Sequence, residues 1–436
     1  MMRDPSTMMT NRRPTPLRPD SATSVSHSAA PASLSALALS LAICFPALAQ
    51  PAGTPFIART LLDHSLTSHA VLVHRIDGAM ITYTDSRGLL RREPTSEFLA
   101  LLPGDGPTGW QRRGSTDTLT LVDGQRFPGS ILPSPDADEP PVLWDARFAH
   151  LAFPLERVST LTRAGVTPPP RVTTGDDAVG LSNGDTITGF ILGLGDVVVV
   201  ETPGGATVEV SSERFAWARL ANPPLAPEGA MLWLSDGTVA CVETLPQNTP
   251  ESLEARLLPP GQSQASLSEG DSPRISVPLA SVRAFAFEPA RLVGLGTLPL
   301  VETLSERPWP PAVELSDAMD EPLGAPDITL PAPMSAAWSI PPGATRLAFD
   351  ATLPERSRLW GDAELVITLQ QDGTRRALAR ARLHAGEPTA SFNVQLASPA
   401  DPRRERRLII ELVAGPTGPA HDTAVLHRPL LRIDGR

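Results

Sequence analysis

Through the middle of the chain, short alternating apolar runs enter a tight turn and leave through a glycine. The clearest instance is Leu181-Ser182-Asn183-Gly184-Asp185-Thr186-Ile187-Thr188-Gly189-Phe190-Ile191. Asn-Gly between two such runs predicts a β-hairpin, with a type I′ turn and φ > 0 at both central residues. The same grammar occurs at Leu119-Thr120-Leu121-Val122-Asp123-Gly124, followed by Gly129 and Ile131, and at Met231-Leu232-Trp233-Leu234-Ser235-Asp236-Gly237. A second signature closes each unit: Phe153-Pro154-Leu155-Glu156-Arg157-Val158, Val210-Ser211-Ser212-Glu213-Arg214-Phe215, and Val277-Pro278-Leu279-Ala280-Ser281-Val282. Glu93-Pro94-Thr95-Ser96-Glu97-Phe98 fits the same slot. Four successive units follow, a degenerate one at about 56–104 and others at about 109–165, 174–222 and 228–288, each of about five short strands.

The proline-rich stretches Thr167–Pro170, Pro223–Pro227 and Pro308–Pro311 read as stiff spacers between units. In the fourth unit Val242 takes the place of the second glycine, and the polar stretch Gly261–Pro273 reads as a mobile loop. From Ser305 the runs lengthen: Trp338-Ser339-Ile340, Arg346–Ala351, Ala363–Gln370, Ser391–Leu396, Arg407–Val413 and Pro429–Ile433, with a tight turn at Asp372-Gly373. Long strands at this spacing predict a β-sandwich or jelly roll over 305–436. The fold class is therefore all-β: tandem small barrels followed by a sandwich.

Composition agrees. With 436 residues the chain exceeds one ordinary core, and 48 prolines and 32 glycines disfavour long helices. Every basic residue is arginine, and the formal net charge is -11. An acidic chain without a basic stripe argues against nucleic acid or an anionic membrane as partner. The two cysteines, Cys44 and Cys241, exclude a disulfide framework and a cysteine-ligated metal.

The N-terminus carries an address. Arg12, Arg13 and Arg18 precede an apolar run from Leu34 to Ala49 that ends Ala47-Leu48-Ala49 before Gln50. A basic region, a short apolar run and an A-x-A site predict a secretory signal peptide over 1–49. The expected location is the periplasm, the cell surface or the extracellular space, with no later stretch able to span a membrane and Cys241 as the one remaining thiol.

The units at 56–288 resemble SH3-like or Sm-like small barrels in their turn and glycine pattern. Trp338-Ser339-Ile340-Pro341-Pro342-Gly343-Ala344, Leu347–Ala351, the hairpin Val366–Gly373, and Leu408–Val413 with Asp422-Thr423-Ala424 and Pro429-Leu430-Leu431 resemble the NPCBM family, a carbohydrate-binding module found beside glycosidases. That resemblance implies a jelly roll and a carbohydrate ligand.

Catalytic patterns do not hold together. Gly180-Leu181-Ser182-Asn183-Gly184 satisfies G-x-S-x-G, but a nucleophile elbow needs a helix after the serine, and here a strand follows. The serine's slot holds Val122 and Ser235 in the sister units, so Ser182 is incidental. No histidine pair forms an H-E-x-x-H frame. His421 and His427, flanking Asp422 in a loop, read as neutral surface residues, and Asp136-Ala137-Asp138-Glu139 as a solvated turn rather than a calcium loop. Trp144, Trp217, Trp233 and Trp338 lie on predicted strands and read as core. Trp360, in Ser357-Arg358-Leu359-Trp360-Gly361-Asp362, lies in a loop and is the candidate ligand platform, with Asp362 and Arg358 beside it. The expected function is non-enzymatic binding outside the cytoplasm, without cofactor or metal, with carbohydrate as the candidate ligand of the sandwich. The alternative is a structural or assembly role at the cell envelope, with envelope proteins contacting the barrels.

Overall fold

A computed structural model describes residues 57–104, 116–133, 141–166, 175–246, 251–258, 273–305, 312–316, 322–399, 401, 403–416 and 418–434. The expected signal peptide at 1–49, the acidic stretch Asp136–Glu139, residues 261–272 of the polar stretch, and the proline runs Thr167–Pro170 and Pro308–Pro311 lie outside the described residues.

The alternating runs form strands whose apolar positions face inward. The first unit holds β1 (Ile57–Asp63), β2 (Ser68–Asp77), β3 (Met80–Asp85), β4 (Leu90–Pro94) and β5 (Phe98–Pro103). The second holds β6 (Asp117–Leu121), β7 (Arg126–Ile131), β8 (Val142–Ala146), β9 (Ala149–Phe153) and β10 (Val158–Thr162). In the third are β11 (Asp177–Leu181), β12 (Thr186–Leu194), β13 (Val197–Glu201), β14 (Thr207–Ser211) and β15 (Phe215–Arg219). The fourth has β16 (Ala230–Leu234), β17 (Val239–Thr244), β18 (Ser252–Leu257), β19 (Arg274–Pro278) and β20 (Val282–Ala286). Within each unit four consecutive strands pair as an antiparallel meander, and the fifth returns to the first, as in β1–β5, β6–β10, β11–β15 and β16–β20. The first unit, though degenerate in sequence, has the same pairing as its sisters.

The Pro-containing signature sets that return. Pro94, Pro154 and Pro278 each precede a single 3₁₀ turn, Thr95–Glu97, Leu155–Arg157 and Leu279–Ser281, which feeds the fifth strand. The N–H groups of Val122, Ser182 and Ser235, just past the first strand, donate to the carbonyls of Arg157, Arg214 and Ser281. The corner thus fastens to the hairpin in the second, third and fourth units.

The hairpin turn differs from the type I′ expectation. Gly184 N–H donates to Leu181 O, Leu181 N–H donates to Asp185 O, and φ is positive at Gly184 (+92°) but not at Asn183. This is a three-residue loop in which an ordinary turn is followed by one left-handed glycine. Gly124 and Gly237 make the same bonds, to Leu121 and Leu234. Aspartate or asparagine precedes the glycine because its carboxylate or amide oxygen accepts a following N–H, as Asn183 Oδ1 does from Asp185 at 3.1 Å. The true type I′ turn is at Asp372-Gly373, where both residues have positive φ and Gln371 pairs with Thr374. The second glycine serves close approach: a Cβ on Gly129 or Gly189 would lie 2.2 Å from the carbonyl oxygen of Asp145 or Glu201.

The units are not strung on spacers. Fifth strands pair across units, β5 with β20 at Leu101↔Phe285 and β10 with β15 at Leu161↔Ala218. The first unit therefore joins the fourth, and the second joins the third. The stretch Pro223–Pro227 is itself tied down, with Leu225 N–H donating to Val122 O at 2.9 Å. Units two and four touch at Arg126↔Val239, where Gln125 accepts from the Cys241 N–H and donates to Leu258 O and Asp123. Burial pushes the Asp123 carboxyl up, and it also pushes up the Cys241 thiol, so that cysteine is a packed core residue.

The C-terminal part has two antiparallel sheets. Its strands are β21 (Leu292–Gly294), β22 (Leu300–Leu304), β23 (Glu314–Leu315), β24 (Ile328–Pro331), β25 (Met334–Ile340), β26 (Ala344–Thr352), β27 (Asp362–Gln371), β28 (Thr374–His384), β29 (Thr389–Gln395), β30 (Arg406–Ala414) and β31 (Thr423–Ile433). One sheet runs β23-β24-β31-β26-β29, with β21 also on β31, and the other runs β22-β25-β30-β27-β28. Strands β21 and β22, before Ser305, belong to these sheets. The pattern did not mark β28, because arginines at 375, 376, 380 and 382 hide the inward Ala379, Ala381 and Leu383.

Three apolar cores result. One fills the four units and one fills the sandwich; the third, with Leu99, Leu102, Trp233 and Leu430, joins units one and four to the sandwich. Residues Thr54–Arg436 form one compact unit. Gly184→Val should destabilise the protein by about 1–3 kcal/mol, the cost of forcing a β-branched residue into left-handed backbone. Ser182→Ala should stay within about 0.5 kcal/mol. Denaturant unfolding of the two variants checks both.

Candidate functional site

The loop between β26 and β27 begins at Leu353, which is fully buried, and winds through a single turn at Glu355–Ser357. The buried Ser357 accepts from the N–H groups of Trp360 and Gly361, at 3.2 and 2.6 Å. A Cβ on Gly361 would lie 2.7 Å from Ser357 O, so only glycine closes this bend. A second loop packs behind it: the buried Asp422 accepts from Asp362 N–H at 2.8 Å and from Gly415 N–H at 3.0 Å. The base of the loop is held rigidly, and its tip carries Leu359 and Trp360 into solvent, 77% and 69% exposed.

Trp360 is thus exposed, as its loop context indicated. Trp144, Trp233 and Trp338 are buried in core as expected. Trp217 is half-buried, packed over Gly180, with the Arg219 guanidinium 5.7 Å from its ring. Arg358 lies beside Trp360 and is exposed. Asp362 is engaged differently: Arg382 grips its carboxylate with two hydrogen bonds of 2.6 and 2.5 Å. That contact holds the Asp362 carboxyl below its usual value, against the opposing effect of burial. Arg358 and Trp360 are thus both exposed on this loop, while the Asp362 carboxylate is taken up by Arg382.

A second polar cluster was not legible in sequence. His427 lies on β31, not in a loop; its Nδ1 donates to Asp327 at 2.8 Å and its Nε2 meets Thr352 Oγ1 at 2.8 Å. Arg428 N–H donates to the other Asp327 oxygen at 2.9 Å. The hydrogen bond to Asp327 raises the His427 imidazole, against the effect of burial. Burial alone would raise the Asp327 carboxyl, but its bonds from His427 and Arg428 hold it below the usual aspartate value. Asp327 and His427 stand 100 positions apart in the sequence. His427 and Arg428 line a cleft of about 380 Å³ between the first unit and the β24-β31-β26-β29 sheet. Among the described residues, no group of three or more histidines, cysteines and acids is placed to hold a metal ion, and no helix is long and apolar enough to cross a membrane.

No family model matches the chain, and no curated protein matches it. Among solved structures, it is similar to the second family-51 carbohydrate-binding module with its INT domain from Clostridium perfringens ZmpB, at 10% identity and a TM-score of 0.26. That match covers 42% of this chain and 37% of the other, so the chain spans just over a third of that relative's length. A family-51 module from Clostridium perfringens GH95, solved with methyl-galactose, matches at 10% identity over 32% of this chain and 99% of its own, with a TM-score of 0.24. A family-61 module solved with β-1,4-galactotriose matches at 10% identity over 32% of this chain and 94% of its own, with a TM-score of 0.22. At TM-scores this low the likeness carries no argument about ligands.

Two outcomes follow from the geometry. Asp422→Ala leaves two N–H groups without their acceptor and should cost about 2–4 kcal/mol by denaturant unfolding, while loosening the Trp360 loop against proteolysis. The His427–Asp327 pair should stabilise most strongly between about pH 4 and 6.5. Its histidine contribution is lost as pH rises above 6.5 through the raised imidazole value. The aspartate contribution is lost as pH falls below about 4 through the lowered carboxyl value. Thermal unfolding from pH 4 to 9 should decline less steeply above pH 6.5 in His427→Gln than in the native protein.

Proposed function

We propose that this is an exported, non-enzymatic binding protein whose C-terminal sandwich binds glycan at Trp360. One observation carries it: an indole held in water on a loop whose base is pinned by Ser357, Gly361 and Asp422. Burying such a ring normally stabilises a fold, so an indole kept outside on a rigid mount is placed to meet something else. A pyranose ring offers an apolar C–H face to stack on it, and its hydroxyls suit the exposed Arg358 and the Arg382 fixed by Asp362. The resemblance of the sandwich to NPCBM modules and the A-x-A site at residues 47–49 support a carbohydrate ligand and export. The five-strand units, each closing its fifth strand on its first, are best read as SH3-like barrels carrying that sandwich.

A second reading has one observation in its favour. Phe190 and Leu192 are exposed on β12 beside a groove of about 730 Å³ that also takes in Pro154, Leu155 and Pro223. This apolar surface would suit a protein partner and an assembly role for the barrels.

A glycan array probed with the chain from Gln50 onward tests the first reading. Binding that weakens at least tenfold in Trp360→Ala, about 1.4 kcal/mol, supports it. Absence of glycan binding, with recovery of an envelope protein that is lost in Phe190→Ser, would replace it with the second.

A further inference from the structure

We infer that the cleft between the first unit and the sandwich is a separate binding site for one or two rings of a neutral sugar. It goes beyond the Trp360 reading, because it lies on other residues and needs both parts of the chain.

The cleft is a built feature. Its walls come from the β1–β2 hairpin on one side and from β26, β29 and β31 on the other. The two sides are locked together. Asn393 Nδ2 donates to Ser65 O at 2.9 Å, Arg432 donates to His64 O, and the third apolar core lies alongside with Leu62, Leu66 and Leu430. A cavity held in this way is formed before a ligand arrives, so little ordering cost falls on binding. Its volume, about 380 Å³, is toward the small end of the ~300–1,000 Å³ usual for ligand sites.

Backbone strain marks the same place. Between Ala348↔Leu430 and Asp350↔His427 the β26–β31 ladder shifts register, so β31 bulges at Arg428-Pro429. Arg428, not a glycine, has φ +44°, and Asp327 holds it there through both the Arg428 N–H and His427. A non-glycine residue in this region costs roughly 1–3 kcal/mol and persists only where the surroundings over-determine it. Bulges recur beside functional sites because they re-aim a side chain.

The chemistry around the cleft is mixed and near neutral. Asp350 accepts from Ser391 Oγ at 2.6 Å through one oxygen; its second oxygen has no hydrogen-bond partner among the described residues. Nor does the Arg428 guanidinium, among the described residues, make a side-chain hydrogen bond or ion pair. The first unit adds the hydroxyls of Thr67 and Ser68. A carboxylate acceptor, a guanidinium donor and hydroxyls that do both match adjacent sugar hydroxyls, each donor and acceptor at once. Leu62 and Leu66 offer apolar surface for the ring's C–H groups. A flat nucleobase finds no open aromatic here, because Phe349 and Phe392 are buried and stacked on each other at 4.9 Å.

The test is titration calorimetry of the chain from Gln50 onward with galactose, glucose, xylose, N-acetylglucosamine and their β-1,4-linked dimers, and with glutamate. The variants are Asp350→Asn, which keeps the shape and the contact with Ser391, Ser68→Phe, which fills the cleft from the barrel side, and Trp360→Ala. Supporting the site is a sugar whose affinity falls at least tenfold in both Asp350→Asn and Ser68→Phe. Sugar binding lost only in Trp360→Ala overturns the cleft site and leaves the Trp360 reading standing. Binding of glutamate but no sugar, dependent on Asp350, overturns the sugar assignment. No binding of any probe at millimolar concentration overturns the site as stated. Unfolding midpoints of the variants within a few degrees of the native protein exclude misfolding as the cause.

Discussion

Each unit's closing strand has two hydrogen-bonding edges, and the first strand of its own unit covers only one of them. An uncovered edge is a template for unwanted pairing and must be paired, twisted away or charged. Here the closing strands cover one another, β5 with β20 and β10 with β15. Everything larger follows from that. It turns four five-stranded units into two pairs, it brings the first and fourth units side by side, and it creates the apolar surface on which the sandwich sits. Strand β28, which among the described residues pairs only with β27 at the end of its sheet, is guarded by charge: Arg375, Arg376, Arg380 and Arg382 are exposed along it.

The local grammar was legible because it is written in backbone chemistry. A left-handed glycine after an aspartate or asparagine, and a proline before a tight corner, constrain φ directly and can be read one residue at a time. The turn type was misread because Asn-Gly suits two geometries, and only the bonding of Leu181 to both Gly184 and Asp185 separates them. Partner choice between units was illegible. All four closing strands are short runs with apolar residues at their inward positions, so nothing in Leu101 or Leu161 says that one meets Phe285 and the other Ala218.

The same division holds for the surfaces proposed to bind. Trp360 could be found because its neighbours, Arg358 and Gly361, do not continue a strand. Asp362 could be found as well, but its role could not, because the arginine that occupies it lies on the next strand. The His427–Asp327 pair and the strained Arg428 were hidden for a simpler reason: the Pro429 that marks the bulge also made β31 look as if it began there.

The nested pairing also constrains the order in which the molecule can be completed. A chain made from its N-terminus presents the first unit long before its partner exists, since Leu101 must wait for Phe285. The second and third units, adjacent in sequence, can close on each other in the meantime at a loop-closure cost about 1 kcal/mol smaller. The molecule is therefore finished from the inside outward, and until the fourth unit is made the first carries an open edge and the bare apolar patch around Leu99 and Leu102. That interval is when the chain is most exposed to misassociation with its own copies.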